Sequence, residues 1–100
     1  MFIYNVTVNI SDDAREEWVK WMKGTHISDV MKTGCFIDSQ LVKVLYVEDE
    51  GHTYSTQYKF LEMADIERYQ KEFAPKLQAE HSLKFKDKYS AFRTILQIVD

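Results

Sequence analysis

Phe2-Ile3-Tyr4-Asn5-Val6-Thr7-Val8-Asn9-Ile10 repeats with period two, the pattern of a half-buried strand. Phe2, Tyr4, Val6, Val8 and Ile10 fall on one face; Ile3, Asn5, Thr7 and Asn9 fall on the other. Immediately downstream, Ser11-Asp12-Asp13 offers N-cap side chains and negative charge where a helix should begin. Trp18, Trp21 and Met22 follow at i, i+3 and i+4 as its apolar stripe. Gly24-Thr25 predicts a break, with Thr25 capping a second short helix that carries Ile27, Val30 and Met31 and stops at Thr33-Gly34.

The same unit then recurs. Phe36 to Val47 is rich in β-branched and aromatic residues and reads as a long strand with ambiguous faces. Glu48-Asp49-Glu50-Gly51 reads as a turn, which makes the next strand, His52 to Leu61, its antiparallel partner. A helix starts near Ala64, with Ile66, Tyr69, Phe73, Leu77 and His81 at steps of three or four. Pro75 cannot sit inside a regular helix, so the helix must kink or restart there. Tyr89 to Val99 is the last strand. Two such units in one 100-residue chain predict a single α+β domain over residues 1–100. The fold expected is ferredoxin-like βαββαβ, with sheet order 4-1-3-2 and two broken helices on one face.

Composition narrows the function classes. A net charge of −3 disfavours a nucleic-acid binder, and the late lysines are interleaved with Glu72, Glu80 and Asp87. Cys35 is the single cysteine, which rules out an intrachain disulfide and points to a reducing, cytoplasmic setting. The first residues lack the basic region of a signal peptide, and no apolar run reaches membrane-spanning length, so no membrane partner is expected. Gly-rich phosphate loops, His-Glu-x-x-His and nucleophile elbows are absent; no metal site and no cofactor are expected.

On this reading the helix-covered sheet face carries Tyr4, Val6, Val8, Tyr54, Tyr58, Phe60, Phe92 and Leu96. The opposite face carries Ile3, Asn5, Thr7, Asn9, Ser55, Gln57, Ala91, Arg93, Ile95 and Gln97, mostly amides, hydroxyls and aliphatics. Depletion of charge marks a covered patch, so this face is expected to form a homodimer interface that includes Asn5, Thr7, Gln57 and Arg93.

Several segments carry a family resemblance: Tyr4-Asn5-Val6-Thr7-Val8, Trp18-Val19-Lys20-Trp21-Met22, His26-Ile27-Ser28-Asp29-Val30 with Thr33-Gly34, Glu67-Arg68-Tyr69, Ala74-Pro75-Lys76-Leu77-Gln78-Ala79-Glu80-His81 and Ala91-Phe92-Arg93-Thr94. Together they resemble the domain of unknown function 4286 family of short bacterial proteins. The resemblance implies the dimeric α/β barrel. That fold serves cofactor-independent monooxygenases, haem-degrading enzymes, small isomerases and many non-enzymes, so it implies no single reaction.

The candidate pocket residues are Tyr4, Trp18, Trp21, His26, Tyr58 and His81. Each of His26 and His81 follows a helix break, and His81 continues an apolar stripe, so it should face the sheet as an acid/base or a ligand. The bland alternative is a core histidine satisfied by a tyrosine or a carbonyl. Tyr4 and Tyr58 lie on the covered face and need hydrogen-bond partners when buried. Trp18 and Trp21 either wall a ligand pocket or simply fill the core. The resemblance also raises a haem reading, because haem-degrading members of the fold pair an Asn on strand one with a His late in helix two. Asn5 and His81 are the counterparts, but Asn5 should face away from the helices. His52 lies by the turn and is expected to be exposed. Whether the protein is an enzyme stays open between two classes. An enclosed cavity lined by a histidine and a tyrosine favours a small-molecule site; a filled core with both histidines at the rim favours a non-catalytic interaction or regulatory module.

Overall fold

In the computed structural model, which describes residues 1–46 and 50–100, the strand that alternates at the start of the chain is β1 (Phe2–Ile10). It lies in the middle of a four-stranded antiparallel sheet with β2 (Asp38–Lys43), β3 (His52–Phe60) and β4 (Tyr89–Gln97), in the order β2-β3-β1-β4. This is the ferredoxin-like order expected from the repeat. β2 is shorter than Phe36 to Val47. The expected end of that strand at Val47 and the turn residues Glu48 and Asp49 lie outside the described residues.

The first helical segment departs from the expected break. After a 3-10 turn at Asp12–Ala14, α1 (Arg15–Trp21) runs into a π-helical turn (Met22–His26) and on into α2 (Ile27–Met31), without leaving helical backbone angles. Gly24-Thr25 therefore widens the helix instead of interrupting it. A Cβ at Gly24 would meet no atom within 4 Å, so nothing about its packing demands glycine. The stop at Thr33-Gly34 forms as expected: Gly34 takes a φ of +76°, and the Thr33 hydroxyl donates to the Val30 carbonyl at 2.7 Å.

In the second half, α3 (Met63–Glu72) opens with the Glu62 N–H donating to the Asp65 carboxylate at 3.1 Å. Phe73, with φ of −122°, separates it from α4 (Ala74–Lys84). Pro75 occupies the first turn of α4, where its missing N–H costs nothing.

The core forms two clusters on the helix side of the sheet. One gathers Tyr4, Phe36, Tyr58, Phe60, Ile66, Tyr69 and Leu77; the other gathers Val8, Ile10, Trp18, Met22, Tyr54 and Phe85. Half-buried Val6 and Ile27 touch both. The helix side of the sheet is thus packed at both ends and bridged in the middle by smaller side chains.

The faces of β4 are the reverse of those expected. Thr7 stands opposite Phe92 and Ile3 opposite Leu96, so Phe92 and Leu96 lie on the open face. Val8 stands opposite Ala91 and Val6 opposite Arg93, so Ala91, Arg93 and Ile95 lie on the helix side. The expectation failed because it assigned the larger apolar residues to the core. On this edge strand they sit outside, with Phe92 61% exposed and Leu96 42% exposed. Arg93 is therefore not part of the open face.

The rest of the open face matches its sequence pattern and is knitted by uncharged hydrogen bonds. Gln40 donates to Gln57 at 3.0 Å, Gln57 to Ser55 at 3.3 Å, and Ser55 to Asn5. Asn5 in turn donates to Thr94 at 3.1 Å and to Thr7 at 3.2 Å. Its polar groups are spent on one another, and Ile3, Phe92, Leu96 and Val42 share the surface with them.

Candidate functional site

Between the two core clusters lies a small, partly open cavity with about 30 Å³ of space that water centres can occupy. That is room for about two waters. β1 contributes Tyr4, Val6 and Val8; β3 contributes Thr56 and Tyr58; β4 contributes Ala91 and Arg93. The π turn brings Met22 and His26, α3 brings Tyr69, and α4 brings Gln78 and His81. Period-two alternation explains the strand residues, and Gln78 and His81 are one helical turn apart.

Of the six sequence candidates, Tyr4, His26, Tyr58 and His81 line this cavity. The two tryptophans stand behind the histidines. Trp18 is fully buried, and its indole N–H donates to His81 Nε2 at 2.8 Å. Accepting at Nε2 leaves the His81 proton on Nδ1, and protonating Nε2 would set two donors against each other. Trp21 stacks on His26 with ring centroids 4.8 Å apart, and the two imidazoles lie 5.9 Å apart.

Burial sets the protonation states. Desolvation pushes His26 down to about 4, reinforced by the Arg93 charge and opposed by Asp29. His81 is also pushed down to about 4, by desolvation first and then by His26 and Arg93. Both imidazoles are neutral at pH 7. Burial raises the hydroxyls of Tyr58 and Tyr69 well above the ordinary tyrosine range, with neighbouring tyrosines adding to it. Tyr4 is raised by burial as well, against the pull of Arg93 and Gln78 beside its hydroxyl.

Two polar atoms in this wall have no hydrogen-bond partner: His26 Nδ1 and Thr56 Oγ1. Thr56 is 1% exposed. Buried polar atoms are nearly always paired, and an orphaned one costs about 1–3 kcal/mol.

Sequence reading missed Arg93, Gln78, Tyr69 and Thr56 as cavity residues. Gln78 carried a legible signal, three residues before His81 on one helix face, and Thr56 alternates with Tyr54 and Tyr58. Arg93 carried none without the β4 register. Asn5 sits on the open face, on the side of the sheet opposite His81, so the haem-type pairing is not assembled. His52 is half-buried instead of exposed and pairs with Asp12 at 2.7 Å, away from the cavity. Among the described residues, no three His, Cys, Asp or Glu side chains converge as a metal-binding group.

A ferredoxin-like sheet with a small cavity between its helices and its helix-side face defines the structural class. The chain belongs to the family described as Domain of unknown function (DUF4286), whose model matches residues 1–99. No curated protein matches the sequence. Among solved structures, it is similar to a dimeric ferredoxin-like protein from an uncultured marine organism, with a TM-score of 0.76, 13% identity, and 99% of this chain and 96% of that one covered. It is also similar to SnoaB, a cofactor-independent oxygenase from Streptomyces nogalater, with a TM-score of 0.68, 12% identity, and coverage of 99% and 94%. An ethyl tert-butyl ether (EthD) family protein from Bacillus halodurans gives a TM-score of 0.69, 10% identity, and coverage of 99% and 100%. At these identities the likeness establishes the fold. Among the described residues, no helix is long and apolar enough to cross a membrane.

Proposed function

We propose that this protein is a homodimer that binds a small molecule in the cavity between its helices and its sheet. The observation that carries the reading is the pair of orphaned polar atoms, His26 Nδ1 and Thr56 Oγ1, in the wall of the cavity. A core built only for stability fills such a gap with methyl groups. Here the gap is kept and edged with two neutral imidazoles, three tyrosines and a guanidinium. Neutral imidazoles serve as hydrogen-bond donors, acceptors or bases at pH 7. A cavity lined by histidines and tyrosines, in place of a filled core with both histidines at the rim, favours a small-molecule site over an interaction module.

Dimerisation is supported by the open face. It carries a hydrogen-bonded polar ladder through Asn5, Thr7 and Gln57, with Ile3, Phe92 and Leu96 beside it, and its charges, Asp38 and Lys59, lie opposite each other at one end. The similar marine protein is described as dimeric. SnoaB is described as an oxygenase, but a shared fold does not carry its chemistry here.

Native mass spectrometry of freshly purified protein tests both parts. The expected species is twice the chain mass with a small adduct. A monomer at micromolar concentration refutes the dimer. A bare protein whose His26 ring NMR signals are moved by no small molecule refutes the binding site.

A further inference from the structure

Resting on the binding reading above, we infer that the ligand is a small organic acid whose carboxylate sits on Arg93, at the doorway between the cavity and a surface groove. Arg93, Gln78 and Ala91 line the cavity, and the same three residues line the groove between α4 and β4. They are the boundary through which a molecule passes from one to the other. The groove also holds Lys86 and Asp87, whose formal charges cancel, which leaves Arg93 as the uncompensated cation. Among the described residues, no carboxylate lies within ion-pair distance of Arg93. Nor does any carboxylate line the cavity.

The wall therefore offers one cation and several hydroxyl, amide and ring N–H groups, and no anion. That is the complement of an oxyanion. A guanidinium fork matches a planar carboxylate with two parallel hydrogen bonds. Tyr4, beside Arg93, is a further donor to the same oxygens. The space suits the acid: room for about two waters is close to the three heavy atoms of a carboxylate, while the remainder of the molecule extends into the groove. The orphaned Thr56 hydroxyl at the inner wall, almost fully buried, is available to a second oxygen or a bridging water.

The test uses the full-length protein and four probes of similar size: acetate and pyruvate, and the neutral acetamide and acetone. Binding is followed by the histidine ring ¹⁵N signals at pH 7.5. The acids should move the His26 and His81 signals saturably, and the neutral probes should not. Arg93→Gln should weaken the acids about tenfold. Arg93→Lys, which keeps the charge and loses the fork, should fall between. Arg93 lies on an exposed edge strand, so both variants should keep their thermal midpoint and stay informative. Neutral probes that bind as well as the acids, or an Arg93→Gln protein that binds acids unchanged, overturn the carboxylate assignment and leave the cavity as a binding site. If no probe moves either ring, the carboxylate assignment and the binding site both fall.

Discussion

Lowering the pH from 7.5 to 5.0 should destabilise this protein through His26 and His81. Both are held neutral, with pKa values near 4 in the folded chain, against about 6.5 when unfolded. Between those values the unfolded chain binds more protons, so stability is full above about pH 6.5 and declines as the pH falls towards 4. At pH 5.0 each unfolded histidine gains about 1.36 kcal/mol for each of the roughly 1.5 pH units below its pKa, or about 2 kcal/mol. Screening by water near the cavity mouth lowers the sum for two rings to about 2–4 kcal/mol. Against a stability of about 5–15 kcal/mol for such a domain, that is a large loss. Asp13, held below its ordinary range chiefly by its hydrogen bond to Lys88, titrates below this window and does not obscure it. Urea unfolding at the two pH values should show the midpoint falling by at least about 1 M. His26→Leu should remove about half of that fall. A midpoint that stays constant to pH 5.0, or a fall untouched by His26→Leu, would show that these rings are not neutral and buried.

Replacing His81 by Leu should cost about 1–3 kcal/mol in thermal or urea unfolding, because it strands the buried Trp18 indole N–H; adding Trp18→Phe should recover part of that loss, and strictly additive effects would deny the hydrogen bond. Phe92→Glu should shift the proposed dimer towards monomer in light scattering with little change in monomer fold, whereas an unchanged dimer would place the interface elsewhere. Gly51→Ala should lower stability by more than about 1 kcal/mol, since Gly51 has a φ of +81° and a Cβ there would sit 2.8 Å from the Ile10 carbonyl oxygen; a neutral calorimetric result would contradict the turn geometry.

The sheet order was readable because two strand–helix–strand patterns leave little freedom in how they close. Pro75 was readable too, since the proline ring excludes an interior helical position. The faces of β4 were not. Tyr89 to Val99 holds apolar residues at both parities, and only its pairing with β1 decides that Arg93 looks inward and Phe92 outward. Alternation reports burial, and a face that another subunit covers is apolar for the same reason a core is. His81 was legible as inward-facing through its apolar stripe, whereas His26 carried only its place after a predicted break. Their partners were not, because Trp18 and His81 are 63 residues apart and meet only through tertiary packing. The helix break failed because glycine is a statement about backbone freedom, and this backbone used the freedom to widen a turn.

That widened turn fixes where His26 points by counting. Trp18, Met22, His26 and Val30 follow one another at intervals of four, and in a regular α-helix each interval would precess by about 40°. Over three intervals the last side chain would have swung by about 120°, off the face where the first began. Yet Trp18, Met22 and Val30 are all buried, and Met22 and His26 line one cavity. A π turn holds more residues than an α turn, so it takes up the drift. The position of the imidazole is thus written in the length of the segment more than in its chemistry. Exchanging Gly24 for another residue leaves the phase intact. Deleting it would let the wide turn close as an ordinary α turn, so the flanking segments would keep nearly the same phase while His26, inside the turn, would lose its present place.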